Sequence, residues 1–152
     1  MKTFNDNTGN TWSIAINVGT IKRVRSLLDV NLLDAVEGKL LEQLIHDPIL
    51  LCDIIYVVCE PDAAKRGVND EEFGQAMAGD AIDAATTALL EELVDFFPNG
   101  KRQILNKALA KLRTFETKAL AAADKRLDDP ELDRKLNAAI EKIESAEVTL
   151  GD

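Results

Sequence analysis

The chain has 152 residues, of which 46% are hydrophobic, 30% charged and only 5% aromatic, the balance of an ordinary soluble globular protein. Its formal net charge is −9, and residues 1–98 carry 7 basic against 17 acidic side chains while residues 99–152 carry 11 against 10. An acidic body disfavours nucleic acid as a partner, and a core poor in aromatics must be built from Leu, Ile, Val and Ala, which favours helices.

The N-terminal stretch lacks the apolar run of a signal peptide. The longest apolar segment, Pro48–Cys59, is interrupted by Asp53 and falls short of the ~20 residues a membrane helix needs. No membrane association is expected. The expected compartment is cytoplasmic, because Cys52 and Cys59 read as free thiols. On a helix they share one face two turns apart, about 10 Å at ~1.5 Å per residue, beyond disulfide reach.

Taken in order, Lys2–Phe4 and Thr11–Ile16 predict two short strands around an Asn/Asp/Gly turn. Trp12, Ile14 and Ile16 alternate with Ser13 and Ala15, as when one face of a strand is covered. A two-stranded hairpin is marginal in water, so it must pack on the helices as a lid or present Trp12 and Ile14 to a partner. Asn17 predicts a cap for a helix over Val18–Leu28, with Ile21, Val24, Leu27 and Leu28 inward and Lys22, Arg23 and Arg25 solvated. Leu33–Ile45 predicts a second helix, weakened at Gly38 by up to ~1 kcal/mol relative to alanine. His46, the only histidine, would sit at its C-terminal end.

The organising element is Asp47–Cys59. Asp47 can cap a first helical turn, Pro48 suits the first helical position, and the rest is apolar nearly all round. Asp53, Tyr56 and Val57 would mark the side that reaches water. The β-branched Ile54, Ile55, Val57 and Val58 leave a buried strand as the competing reading. Glu60–Gly67 predicts a separate short helical turn closed by glycine. Asn69 then caps Asp70-Glu71-Glu72-Phe73, and Asp80 with Asp83 resembles a capping box opening a helix to Phe97. Its inner stripe is Ile82, Ala85, Leu89, Leu93 and Phe96, with Glu91, Glu92 and Asp95 outside.

Pro98-Asn99-Gly100 predicts a boundary between a compact body, 1–98, and a C-terminal arm, 99–152. Lys101–Leu127 reads as one long helix with Leu105, Ala108, Leu112, Phe115, Ala119 and Ala122 on a stripe. Asp128-Asp129-Pro130 breaks it, and Leu132, Leu136, Ala139, Ile143 and Ala146 continue the spacing. The expected fold is therefore mainly α: a small N-terminal β-hairpin on a compact helical body, followed by a C-terminal αα-hairpin. The two narrow seams either close on each other or take a partner through Leu112, Phe115, Leu136 and Ile143. Val148–Asp152 is expected to fray.

The carboxylates Asp80, Asp83, Glu91 and Glu92 are each accounted for as caps or solvated face, and no histidine accompanies them. No Gly-rich phosphate loop, zinc spacing or nucleophile elbow is found. No catalytic residue, cofactor site or metal site is assigned, and the chain is expected to be non-enzymatic. A small all-α enzyme would instead need Asp53, Asp80, Asp83 or Glu92 to converge in a pocket.

Phe4, the Gly9 turn with Trp12-Ser13-Ile14, the basic Ile21-Lys22-Arg23-Val24-Arg25, the Asp47-Pro48 start and the Ala84–Phe97-Pro98 helix form a recognisable layout over residues 2–98. This layout resembles phage tail assembly chaperones, of the kind encoded between the major tail protein and the tape measure protein. The resemblance implies a non-enzymatic homo-oligomer of the host cytoplasm. Such a protein keeps the tape measure protein soluble and helps recruit tail tube protein. The alternative expectation is a structural or connector protein retained in a phage-like particle.

Overall fold

The computed structural model describes residues 1–37 and 39–150, the last four as backbone alone. The chain divides into two compact units, Met1–Ala110 and Lys111–Asp152. The fold is mainly α, with one small antiparallel hairpin at the N-terminus.

In the first unit, β1 (Lys2–Asn5) pairs with β2 (Thr11–Ile14) in a register that sets Phe4 opposite Trp12. Phe4, Trp12 and Ile14 all point inward and are buried. β1 lies against α5 (Asp80–Phe96) and β2 against α3 (Pro48–Arg66), so the hairpin is a lid on the helices. Its turn is built on Asp6. One carboxylate oxygen of Asp6 accepts from the Thr8 amide at 2.9 Å, the Thr8 hydroxyl at 2.8 Å and the Asn10 amide at 3.0 Å. The other accepts from the Trp12 indole at 2.9 Å. Gly9 occupies φ 88°, which a side chain rarely adopts.

α1 (Val18–Leu28) opens with a capping box in which Asn17 and Thr20 bond each other's backbone. Ile21 and Val24 face the core, whereas Leu27, expected inward, is 64% exposed. It lies some 240° around the helix from Ile21, off the buried stripe. The expected helix over Leu33–Ile45 is instead two pieces, a 3₁₀ helix at Leu32–Glu37 and α2 at Lys39–His46. Asn31 explains the tighter winding: its side chain accepts from Leu33 and its carbonyl from Asp34. The expected weak point at Gly38 lies outside the described residues.

α3 is the central helix. Asp47 caps it by accepting from Ile49 and Leu50, both at 3.1 Å, and Pro48 takes the first position. Val57, expected toward water, is buried with Leu51, Ile54, Ile55, Val58 and Cys59. The separate turn expected at Glu60–Gly67 is not separate: α3 continues through Pro61 and ends at Gly67, whose φ is 71°. Proline at position 61 removes the N–H that would bond the Val57 carbonyl. Arg23, expected to be solvated, supplies the missing donors across from α1. Its Nε and Nη2 reach the Val57 oxygen at 3.2 and 2.9 Å, and Nη2 also reaches Val58 at 3.1 Å.

Asn69 caps the short α4 (Asp70–Gln75) by accepting from Glu72 at 2.8 Å. α4 buries Phe73 edge-on against Trp12, ring centroids 5.1 Å apart, with Tyr56 at 5.5 Å. Such an aromatic pair adds ~0.5–1.5 kcal/mol beyond the area it buries. The expected cap at Asp80 is absent. Gly79, at φ 59°, takes the cap position without a side-chain bond, and Asp80 and Asp83 answer the helix dipole from the first turn of α5. Glu92, expected outside, is buried at 9% exposure on α5, against which β1 lies, and the Met1 ammonium sits 2.9 Å from its carboxylate.

α6 (Asn99–Leu127) starts directly after Pro98, so the expected break at Pro98-Asn99-Gly100 turns the chain without dividing it. Leu105 and Leu109 on its first turns are buried in the first unit, and the division falls after Ala110. In the second unit Asp129 caps α7 (Pro130–Leu150), accepting from Glu131 at 3.0 Å. α7 continues past the expected fraying point at Val148, and Gly151 and Asp152 lie outside the described residues.

Candidate functional site

Two of the side chains expected to face a partner do not. Trp12 and Ile14 are fully buried, because the inward face of β2 closes on α3 and α4. The Trp12 ring is also covered by the Arg66 guanidinium, 4.6 Å from its centroid, while Arg66 bonds the Thr11 carbonyl at 2.9 Å and the Asp62 carboxylate at 3.0 Å. These residues hold the hairpin to α3 and offer nothing outward.

The other four lie on the helices beyond Ala110. Phe115, Leu136 and Ile143 are 69%, 53% and 61% exposed, and Leu112 is half-buried. Leu120, Leu127 and Ile140 are exposed beside them. The seams of α6 and α7 therefore do not close on each other. Charge gives a reason. On a seam drawn through Leu112, Phe115 and Ala119, Lys111, Lys118 and Lys125 fall on one flank, and the matching flank of α7 carries Lys135 and Lys142. An antiparallel closure sets those lysines against each other.

A second feature went unrecognised in the sequence. On the first unit, Pro48, Ile49, Cys52, Asp53, Asp70, Glu71, Phe73, Gly74, Met77 and Ile82 line an open groove of about 400 Å³. That volume is within the ordinary range for ligand pockets. Its floor is apolar and its acids come from two elements, Asp53 from α3 and Asp70 and Glu71 from α4. Burial pushes the Asp53 carboxyl above its ordinary range, and the carboxylates of Asp70 and Asp47 add to the shift. The Cys52 thiol is pushed up by burial and then by Asp53 and Asp70. Ile49 stands 75% exposed in the first turn of α3, an isoleucine where a helix start usually meets water. The acid run after Asn69 was visible in the sequence, but nothing there set it beside Asp53.

A second concavity, of about 570 Å³, lies in the second unit at the joint between α6 and α7 and is lined by Ala122, Lys125, Arg126, Asp128, Asp129 and Pro130. Asp80 and Asp83 are exposed at the start of α5 and Glu92 is held by Met1, so neither those two nor Glu92 joins Asp53 in the groove. Among the described residues no group of three or more His, Cys, Asp or Glu is placed to hold a metal ion. Within the same residues no helix is long and apolar enough to cross a membrane. No family model, curated protein or solved structure matches the chain.

Proposed function

We propose that the chain is a phage or prophage tail assembly chaperone, which binds the tape measure protein and assists tail tube assembly without catalysing a reaction. The observation that carries this reading is the uncovered apolar side of the helices beyond Ala110, from Phe115 and Leu120 to Leu136, Ile140 and Ile143. Scattered exposed apolar residues are commonplace, but a helical series of them is the surface on which amphipathic helices dock. A tape measure protein is a long helical client, so an adaptable helical surface suits it. An acidic exterior keeps such a complex dispersed. The tail tube protein is the second partner in this reading, the chaperone itself self-associates, and its place is the host cytoplasm.

The test is co-expression with the tape measure protein of the same phage or prophage. The reading expects that protein to stay soluble with this chain and to precipitate with a Phe115→Ser, Ile143→Ser variant. It also expects the chain to be missing from purified particles by mass spectrometry. Recovery of the chain in mature particles supports a structural or connector protein instead and contradicts the chaperone.

A further inference from the structure

We infer that the groove between α3 and α4 receives the Lys111–Ala119 segment of α6 from a second copy of the chain. In that contact Phe115 enters among Ile49, Met77 and Ile82 while Lys111 and Lys118 meet the carboxylates of Asp53, Asp70 and Glu71. The contact is defined by the groove and by α6, and it does not depend on tail assembly.

The groove brings together what a basic, apolar helix needs. Phe73 and Met77 make a buried floor, Ile49 is left 75% exposed, and three carboxylates border the opening. Among the described residues the ion pairs of the first unit engage Glu91, Glu92 and Asp62, and none reaches these three acids. Burial, and then the neighbouring Asp70 and Asp47 carboxylates, disfavour the charged form of Asp53, and an incoming ammonium offsets the repulsion among the three acids.

The same chain carries the complement. α6 holds eight basic residues and only two acidic ones, the reverse of the body, whose acids outnumber its bases by ten. At 100° per residue, Lys111 and Lys118 fall 40° and 60° to one side of Phe115, and Leu112 and Ala119 fall to the other. The face is thus half apolar and half basic, centred on an aromatic ring that is 69% exposed. An occupant present in the same amount as the groove, of opposite charge and equally uncovered, is a second copy. The docked segment runs through the exposed part of α6, since Leu105 and Leu109 are already committed to their own core.

Light scattering coupled to size-exclusion chromatography, with sedimentation across a hundredfold concentration range, tests this on the full chain. The expected result is a mass of two or more copies, with the dissociation constant rising steeply with salt because the lysine–carboxylate pairs are screened. Phe115→Ser and, separately, Asp70→Lys each weaken association at least tenfold, while circular dichroism shows the helices intact. A third variant, Lys118→Asp, also fails alone, but mixing it with Asp70→Lys restores association by pairing one chain's reversed groove with the other's reversed helix. A chain that is monomeric throughout, or variants that associate as the parent does, overturns the inference. So does a monomer in which Phe115→Ser speeds Cys52 labelling, because the segment then occupies its own chain's groove. Binding of a tape measure fragment by a strictly monomeric chain overturns it too, together with self-association, while leaving the client binding of the proposed function standing.

Discussion

Arg23 on α1 donates two bonds to the Val57 carbonyl, at 3.2 and 2.9 Å, and that carbonyl is the one Pro61 leaves without an N–H four residues later. The guanidinium replaces a backbone donor inside the central helix. Val57 is buried, so a carbonyl there without any partner costs about 1–3 kcal/mol. Arg23→Met is expected to lose that much in urea denaturation. In a Pro61→Ala background, where the helix regains its own N–H, the same substitution should lose less, with a coupling of at least ~0.5 kcal/mol. Equal losses in both backgrounds contradict the link.

Asp6 is the hub of the hairpin turn. Burial pushes its carboxyl up, but bonds from the Trp12 indole, the Thr8 hydroxyl and the Thr8 and Asn10 amides outweigh it and hold the group below its ordinary value. The unfolded chain therefore takes up the proton first as pH falls. The stabilisation is complete above the ordinary Asp pKa near ~4 and is lost as pH drops through the lower folded value. Asp6→Ala should destabilise by about 2 kcal/mol at neutral pH, since it strips a charged acceptor from a buried indole. The gap between variant and parent should narrow on acidification below about pH 4. Tryptophan fluorescence during denaturation reads both.

Asp53 has the opposite sign. Its folded carboxyl is raised, by burial first and then by Asp70 and Asp47, so the folded state takes up the proton before the unfolded one. Its charge opposes folding at neutral pH, and that opposition fades as pH falls through the raised value. Asp53→Asn is expected to raise the urea midpoint at pH 7 and to leave it unchanged well below the ordinary carboxylate range. A lower midpoint at pH 7 contradicts the assignment of Asp53 to a crowded acidic groove.

The two thiols differ in access. Cys59 is 2% exposed, donates to the Ser13 carbonyl at 3.6 Å, and is pushed up to about 12 by burial. Cys52 is half-buried on the groove. At pH 8 a thiol reagent is expected to modify Cys52 first and Cys59 only on unfolding, giving two phases by mass spectrometry.

What could be read from the sequence was local. Asn17, Asp47, Asn69 and Asp129 all cap the helices whose starts they mark, because a cap bonds amides only two or three residues away. The mainly helical fold with its N-terminal hairpin followed from spacing of the same range. Arg23 and Glu92 were misplaced, and Trp12 was left between lid and partner surface, for the converse reason. Arg23 meets Val57 across 34 residues, Glu92 meets the N-terminus, and Trp12 is fixed by Phe73 and Arg66 from helices that periodicity cannot orient. The groove was illegible on the same account, since α3 and α4 build it only after they pack. The stripe carrying Phe115, Leu136 and Ile143 was legible, but whether it closes on its neighbour or stays exposed was not, because a narrow seam on a charged helix fits either arrangement.

Hydrogen exchange of the full chain tests most directly whether the uncovered helices beyond Ala110 are surfaces for other polypeptides. With a tape measure fragment added, amides from Lys111 to Ala146 are expected to gain protection while those of α3, already buried, stay unchanged. Exchange in that segment unaltered by the fragment, at concentrations where the two proteins are mixed in excess, contradicts it.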